Sequence, residues 1–136
     1  MIAIAQAFGT SLDQDDFERT KTLLSDNCEY DIGSEVLRGP DAIAGSYESN
    51  MIEGRKKMDK LEWGESRVEA LDNNQYFVHF TDYLTHKGET YTFSCKQRLT
   101  LEGDQIVRIE HIHDAEDWEQ LQAWYRSVGI PTRPIQ

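Results

Sequence analysis

Cysteine is scarce in this chain, which has only Cys28 and Cys95, and the two are not spaced as a CxxC pair. This count excludes a disulfide-rich scaffold and argues against a structural zinc site. Both residues fall in strand-like runs, at positions where the alternation of apolar and polar residues points inward. We therefore expect two buried, reduced thiols and no disulfide.

Long hydrophobic runs are missing as well. No stretch approaches the about 20 apolar residues of a transmembrane helix. Residues 1–12 are mildly apolar, but they lack the basic start and the long apolar centre of an export signal. These absences predict a cytoplasmic protein.

Positive charge is also in short supply, because 14 Lys and Arg residues stand against 25 Asp and Glu residues, for a net charge of -11. Binding to nucleic acids or to anionic membranes needs clustered basic residues. The one basic run, residues 55–60, is expected on the solvated face of a helix. The sequence therefore predicts no nucleic acid and no membrane as partner, and solubility explains the acidic surface.

What the chain does contain is the pattern of one domain. With 136 residues it is long enough to bury a single core. Two helices, a short strand pair, a third helix, four antiparallel strands and a closing helix are predicted in that order. This order predicts an α+β fold with a curved antiparallel sheet wrapped around helices. We place the domain at residues 1–130 and a short C-terminal tail at 131–136.

Local signals indicate where these elements begin and end. Asp13 is predicted to cap the second helix, and Pro40 suits the first position of the third. Asp114 and Gly129 are predicted to cap the two ends of the last helix. The alternation of the first long strand slips at Gly64, which indicates a bulge.

Residues 76–114 are the most informative stretch, because two turns there determine which side chains share a face. Lys87-Gly88 is a natural two-residue hairpin turn. It predicts that Asp82 lies opposite Phe93 on the neighbouring strand.

A second turn is predicted at residues 102–104, as a three-residue turn with Gly at the left-handed position. It places Phe93 opposite His113, so that Asp82, Phe93 and His113 form one row across three strands. On the other face of the sheet it pairs Lys96 with Glu110.

The inward face of these strands is apolar and aromatic, yet it carries five polar or thiol side chains. Polar groups on a face that is otherwise built for burial indicate a pocket. They are Asp82, Cys95, Gln97, His111 and His113.

Asp82 is the sharpest candidate, because Phe80 and Leu84 on the same face turn it inward. An ionised carboxylate in apolar surroundings costs several kcal/mol unless it is paired or protonated. A raised pKa would make it a general acid, and a histidine partner would make it an oriented base. The alternative is a structural carboxyl at the rim of the sheet, bonded to backbone or water.

His111 and His113 are two residues apart on a strand, so both project to one face. His113 is expected about 9–10 Å from Asp82 between backbones, and either histidine is a candidate partner in proton transfer. Each could equally be a hydrogen-bonded histidine of the core or of the pocket mouth. The pair could also ligate a metal with Asp82 or His86. No further ligand is clear, so we predict no metal and no cofactor.

The rest of the predicted lining is aromatic or polar. Tyr hydroxyls could donate to a carbonyl or enolate oxygen, although we favour simple packing for Tyr47 and Trp63. Gln97 either orients a ligand or bonds Tyr30. The predicted ligand-binding residues are Tyr30, Gln97, Phe93, Cys95, Tyr47, Trp63 and Phe80.

Four segments carry a family resemblance. They are residues 8–17 (FGTSLDQDDF), 23–31 (LLSDNCEYD), 38–47 (RGPDAIAGSY) and the hairpin of residues 80–108. In order and spacing, up to about residue 114, the chain resembles the nuclear transport factor 2-like superfamily, in particular its SnoaL-like branch. The resemblance implies a cone-shaped domain with an apolar pocket open at one end, and a homodimer through the convex face of the sheet.

The resemblance does not choose a reaction, because that superfamily includes isomerases, cyclases, dehydratases, epoxide hydrolases and inert modules. Where ketosteroid isomerases have oxyanion donors and a base, this chain has Phe8, Gln97 and Ile32, and Phe and Ile can do neither job. No Asp/Arg/Asp set of the limonene epoxide hydrolase type is in register. The cyclases and dehydratases, which work with Asp and His on the long strands, are the better match.

The leading hypothesis is therefore a small-molecule pocket protein with cofactor-free acid/base catalysis, of cyclase, isomerase or dehydratase type, on a lipophilic carbonyl or hydroxyl compound. Asp82 with His113 or His111 would move the proton, while Tyr30 and Gln97 would hold the oxygen. The alternative is a non-catalytic ligand-binding or dimerisation module of the same fold. The dimer face is predicted to use Phe77, His79, Thr81, Tyr83, Arg98 and Arg108.

Overall fold

The computed structural model describes residues 2–131, so that all of the predicted tail except Pro131 lies outside the described residues. The helices are α1 (Ile2–Asp13), α2 (Phe17–Leu23), α3 (Pro40–Lys57) and α4 (Ala115–Val128). The strands are β1 (Leu24–Asp31), β2 (Val36–Arg38), β3 (Lys60–Trp63), β4 (Arg67–Ala70), β5 (Gln75–His86), β6 (Glu89–Glu102) and β7 (Gln105–Ile112). None of the described helices is long and apolar enough to cross a membrane.

The seven strands form one sheet in the order β2-β1-β7-β6-β5-β3, with β4 also pairing with β5. Helices and strands are segregated as the sequence predicts, so the α+β class is confirmed. The sheet is mixed rather than wholly antiparallel, because β1 runs parallel to β7. That pairing joins the N-terminal strand pair to the long strands.

Most of the predicted helix ends are confirmed. Pro40 occupies the first turn of α3, and the side chain of Asp114 caps α4 by accepting from the backbone N–H of Asp117. Gly129 ends α4 in the left-handed conformation, with φ of 76°. The cap of α2 is corrected, because α1 continues through Asp13 and it is Asp16 that accepts from the first turn of α2.

The turn at Lys87-Gly88 forms as predicted, and it pairs Asp82 with Phe93. Both turn residues have positive φ, 51° and 80°, as a two-residue hairpin turn of this kind requires. The register between β5 and β6 is therefore confirmed from the turn down to the far end of β5.

The predicted register between β6 and β7 is wrong by two residues. The turn is tighter than predicted, because Glu102 pairs directly with Gln105, and Val107 is then an extra, bulged residue on β7. As a result Gln97, and not Cys95, lies opposite His111. For residues 108–112 the shift of two preserves the side of the sheet on which each side chain lies, whereas beyond the bulge Ile106, and not Val107, faces inward.

The same shift changes the charge pairs on the convex face. Arg98, and not Lys96, lies opposite Glu110 and binds its carboxylate with two hydrogen bonds of 3.2 and 2.9 Å. Lys96 instead lies over the ring of Phe77, 4.3 Å from its centroid. The predicted pair of Lys96 with Glu110 is wrong.

Apolar side chains pack in two clusters. The larger lies between the sheet and helices α1 and α3, and Phe8, Ile43, Leu99 and Ile109 are completely buried in it. The smaller lies under α4 and contains Met58, Leu61, Leu84, Leu121, Tyr125, Val128 and Ile130. Two clusters on one concave face leave room for a cavity between them.

The slip at Gly64 is a full break, since β3 and β4 are separate strands that both pair with β5. The Gly64 N–H still donates to the carbonyl of Thr81 at 2.8 Å. The break brings Ser66 against α1, where a side chain at Gly9 would place its Cβ 2.3 Å from the Ser66 hydroxyl oxygen. The close contact explains why position 9 of the buried helix face is a glycine.

Replacing Gly9 by Ala should lower the free energy of unfolding by about 1–3 kcal/mol, because the added methyl overlaps Ser66. The matched change Gly45→Ala, at an exposed helix position with open space around it, should raise it by about 0.5–1 kcal/mol. Urea denaturation of both variants measures the difference. Equal stabilisation by the two changes would show that the contact is unimportant.

Candidate functional site

A cavity of about 250 Å³ lies between the concave face of the sheet and helices α1, α3 and α4. Of the ten site residues predicted from the sequence, nine line this cavity and only His113 does not. The nine are Tyr30, Tyr47, Trp63, Phe80, Asp82, Phe93, Cys95, Gln97 and His111. Their polar groups gather at two separate ends.

One end, which we call the amide end, consists of Tyr30, Tyr47 and Gln97. The Tyr47 hydroxyl donates to the Gln97 side-chain oxygen at 2.5 Å, and the Gln97 amide donates to the Tyr30 hydroxyl oxygen at 3.3 Å. The two tyrosine rings stack with centroids 5.1 Å apart. Burial raises the pKa of both tyrosines, so they are neutral hydrogen-bonding groups. Of the two roles left open for Gln97, the structure shows the bond to Tyr30.

The other end, which we call the carboxylate end, is built around Asp82. Strand pairing puts Trp63 on β3 and Phe93 on β6 directly beside it, so the carboxyl lies between two aromatic residues. Among residues 2–131, no group forms a hydrogen bond with this carboxyl. Burial, and then the negative charge of Asp13, raise the pKa of Asp82 to about 7. Asp82 therefore exchanges its proton near neutral pH.

Two further carboxylates complete this end, and the sequence reasoning did not identify either. Asp13 accepts from both the backbone N–H and the hydroxyl of Ser66, each at 2.8 Å. Asp15, which has a positive φ of 55°, accepts from the Trp63 indole N–H at 2.8 Å and from Arg55 at 2.9 Å. Asp13 was assigned to a helix cap, and nothing in the spacing showed that the turn after α1 enters the cavity.

The two histidines are divided between the cavity and its surroundings. Their rings lie 4.6 Å apart, with His111 lining the cavity and His113 exposed and bonded to the Ile32 carbonyl at 2.9 Å. Burial, and then the neighbouring His113, lower the pKa of His111 to about 4. His111 is therefore neutral at physiological pH, and His113 is held by the protein backbone.

The predicted row of Asp82, Phe93 and His113 does not form, because of the two-residue shift of β7. His111 belongs instead to the row of Val78 and Gln97, four residues further along β5. In a flat sheet this separates the Cα atoms of Asp82 and His111 by about 16 Å. Asp82 and His111 therefore do not lie in one row of the sheet, and no hydrogen bond joins them in the described part of the chain.

The geometry also bears on two other kinds of site, a cysteine nucleophile and a bound metal ion. Cys28 and Cys95 are free thiols, the first buried and the second half-buried against the cavity. Burial, and then Asp82, raise the pKa of Cys95 far above its ordinary value, so its thiol is not an activated nucleophile. Within residues 2–131, no three His, Cys, Asp or Glu side chains come together in a way that would hold a metal ion.

The raised pKa of Asp82 gives a pH-dependent stability. Between about pH 4 and pH 7 the unfolded chain releases this proton while the folded chain retains it, so ionising Asp82 lowers stability as the pH rises. Asp82→Asn should be more stable than the wild type by about 1–3 kcal/mol at pH 8, with little difference at pH 4. Urea denaturation across this range measures the gain. The same gain from Asp104→Asn, in an exposed hairpin turn, would contradict the assignment.

No protein-family model matches the chain, and no curated protein matches it in sequence. Solved structures do match it in shape. A proposed polyketide cyclase from Xanthomonas campestris superposes with a TM-score of 0.65 and 15% identity, over 86% of this chain and 92% of that one.

Two other solved structures cover more of the chain. An LEH-like epoxide hydrolase from M. tuberculosis has a TM-score of 0.63 and 16% identity, over 94% of this chain and 95% of its own. A protein with the ketosteroid isomerase-like fold from Catenulispora acidiphila has a TM-score of 0.65 and 12% identity, over 96% and 97%. At these identities the likeness is one of fold, and the chain has the nuclear transport factor 2-like cone fold.

Proposed function

We propose that this chain, with its nuclear transport factor 2-like fold, is a SnoaL-like pocket protein that performs cofactor-free acid/base catalysis on a lipophilic carbonyl or hydroxyl compound. The supporting observation is Asp82, a carboxyl without a hydrogen-bond partner among residues 2–131 that faces a cavity of about 250 Å³. A carboxyl without a hydrogen-bond partner in apolar surroundings lowers the free energy of unfolding. Acid/base catalysis, which needs an exchangeable proton in the cavity, would explain why Asp82 is there.

The protonation state of Asp82 suits that task. With a pKa of about 7, the carboxyl is present in both its acid and its base form at neutral pH. General acid/base catalysis is most efficient when the pKa of the group lies near the working pH. In our proposal ionised Asp82 removes a proton from the carbon next to a carbonyl, and the resulting acid returns it elsewhere on the same molecule. Cyclisation, isomerisation and dehydration all use this step.

The amide end supplies the second contact with the substrate. Tyr30 and Gln97 of the amide end, with His111 beside Gln97 on the next strand, offer neutral hydrogen-bonding groups away from Asp82. Phe80 and Cys95 lie between the two ends on the same face of the sheet. We therefore propose an elongated substrate, with one polar group held at the amide end and its reacting carbon beside Asp82.

The rival proposal is a non-catalytic ligand-binding module. In its favour, Tyr47, Gln97 and Tyr30 bond to one another and His113 bonds to the backbone, so part of the predicted site is satisfied internally. Asp82 is not satisfied in this way, and for that reason we favour catalysis. The two proposals differ in whether the carboxyl of Asp82 takes part in a chemical step.

Ligand binding is tested by the melting temperature of the protein against a panel of polycyclic and polyketide-like carbonyl compounds. A compound present at a hundred times its dissociation constant stabilises the folded state by about 2.7 kcal/mol, which raises the melting temperature of a domain of this size by several degrees. We expect at least one such shift. A flat response over the panel would contradict a pocket for this class of compound.

Turnover of a compound identified in this way tests the role of Asp82. Asp82→Asn should lower kcat by at least about a hundredfold with a smaller change in KM, because the amide cannot exchange the proton. Asp82→Glu should restore part of the activity, and His113→Gln, outside the cavity, should leave it within a few-fold. Unchanged turnover by Asp82→Asn would contradict proton transfer by Asp82 and remove our reason for preferring catalysis to the non-catalytic binding module.

We also propose that the protein works in the cytoplasm as a homodimer through the convex face of the sheet. On that face Tyr83 is 40% exposed, and Arg98, Arg108 and Glu110 already form ion pairs with one another and with β1. Burying neutralised charges costs less than burying single ones. Sedimentation at micromolar concentration should give a dimer, and Tyr83→Glu should give a monomer. A monomeric wild-type protein would refute this assembly.

A further inference from the structure

The wall of the cavity carries charge of only one sign. Asp13, Asp15 and Asp82 all contribute to it, and within residues 2–131 no Lys or Arg does. Arg55 is not part of the wall; it binds Asp15 at 2.9 Å and lies over one face of the Trp63 ring, 5.7 Å from its centroid, so among the described residues the charge of Asp15 is paired while those of Asp13 and Asp82 are not. Such a wall repels carboxylates and phosphates and attracts cations.

The three carboxylates are not equivalent. Asp15 has two donors, the Trp63 indole and Arg55, and Asp13 has two hydrogen bonds from Ser66 on one of its oxygens. Asp82 has none among residues 2–131. A donor is therefore missing at Asp82, on the side that faces the cavity.

The surroundings of Asp82 suit a cationic donor. Trp63 and Phe93 flank it in one row across β3, β5 and β6. The faces of aromatic rings attract an ammonium group, most strongly where water is excluded. A carboxylate between two aromatic residues thus combines the attraction of its negative charge for an ammonium group with the attraction of the aromatic rings.

We propose that the carboxylate end binds the protonated nitrogen of a lipophilic amine, placed between Asp82 and Asp13 and against Phe93 and the side of Trp63 that Arg55 leaves open. The apolar part of the amine fills the cavity towards the amide end. This inference shares the cavity with the proposed function but does not depend on proton transfer by Asp82. Either can therefore fail without the other.

A measurable proton release follows from this geometry. The ammonium neutralises the repulsion between Asp82 and Asp13, so binding favours the ionised form of Asp82. At pH 7 about half of the Asp82 carboxyls are protonated, given a pKa of about 7, and binding displaces that proton. A neutral ligand in the same cavity displaces none.

The experiment uses three bicyclic probes of the same shape and different charge: naphthylmethylamine, acetylnaphthalene and naphthoate. Trp63 and Trp118 line the cavity, so quenching of tryptophan fluorescence reports binding. The amine should bind at least about tenfold more tightly than the ketone, which is the size expected for a hydrogen bond to a charged partner. The carboxylate should be the weakest of the three. Calorimetry at pH 7 in two buffers of different ionisation enthalpy should show about half a proton released with the amine only.

Variants assign the effect to Asp82. Asp82→Asn should abolish most of the preference for the amine over the ketone and also the proton release, while the affinity for the ketone stays within a few-fold. Glu65→Gln removes one charge at an exposed position near the break between β3 and β4, outside the cavity wall, and should change neither.

Two results would overturn the inference. Binding of the ketone without preference for the amine would refute the amine site and leave the proposed carbonyl chemistry standing. A preference that Asp82→Asn retains would show that it comes from the overall negative charge of the protein. If none of the probes binds, the cavity is not a site for bicyclic ligands, and the amine site is refuted with it.

Discussion

The arrangement of this protein depends on one unfavourable placement, a carboxyl group on the concave face of a sheet, between aromatic residues and without a donor from the described residues 2–131. Removing a carboxylate from water without compensation costs several kcal/mol, and Asp82 meets that cost by holding its proton up to about pH 7. The rest of the site is organised around it. Asp13 and Asp15 have their donors from Ser66, Trp63 and Arg55, so the charge that surrounds Asp82 is held in a defined position.

The two ends of the cavity have different chemistry because they rest on different parts of the fold. The amide end lies against the larger apolar cluster, where Tyr30, Tyr47 and Gln97 bond to one another. The carboxylate end lies where β3, the turn after α1 and the smaller cluster under α4 meet. The first end is neutral and hydrogen-bonded within itself, and the second is acidic and contains a carboxyl with a pKa of about 7. Our functional proposal assigns the holding of the substrate to the amide end and the reaction to the carboxylate end.

The side of the sheet on which the residues of β5 and β6 lie could be predicted from the sequence, because alternation has a period of two and the turn at Lys87-Gly88 is unambiguous. The position of His111 along the sheet could not. A three-residue turn and a two-residue turn followed by a bulge both leave His111 facing inward, and only the structure shows Val107 as the extra residue. Ile106 and Ile109 are three residues apart and both fully buried, which an unbroken alternation does not allow, and this burial is seen only in the structure. Asp13 and Asp15 were missed for another reason, since their place in the cavity depends on the path of a turn that no periodicity describes.

The bulge at Val107 also determines which side chains of β7 face the cavity. With the tight turn alone, Glu110 would lie opposite Gln97 and its side chain would enter the cavity in place of His111. The single extra residue restores the imidazole to the interior and sends the glutamate out to Arg98. In descendants of this chain, gain or loss of one residue in this loop would exchange a neutral ring for an acid inside the cavity, whereas a change of two would only slide the ring along the sheet. A change of loop length by an odd number of residues therefore alters which side chains of β7 line the cavity, and an even number does not. Neither change needs a substitution at a position that faces the ligand.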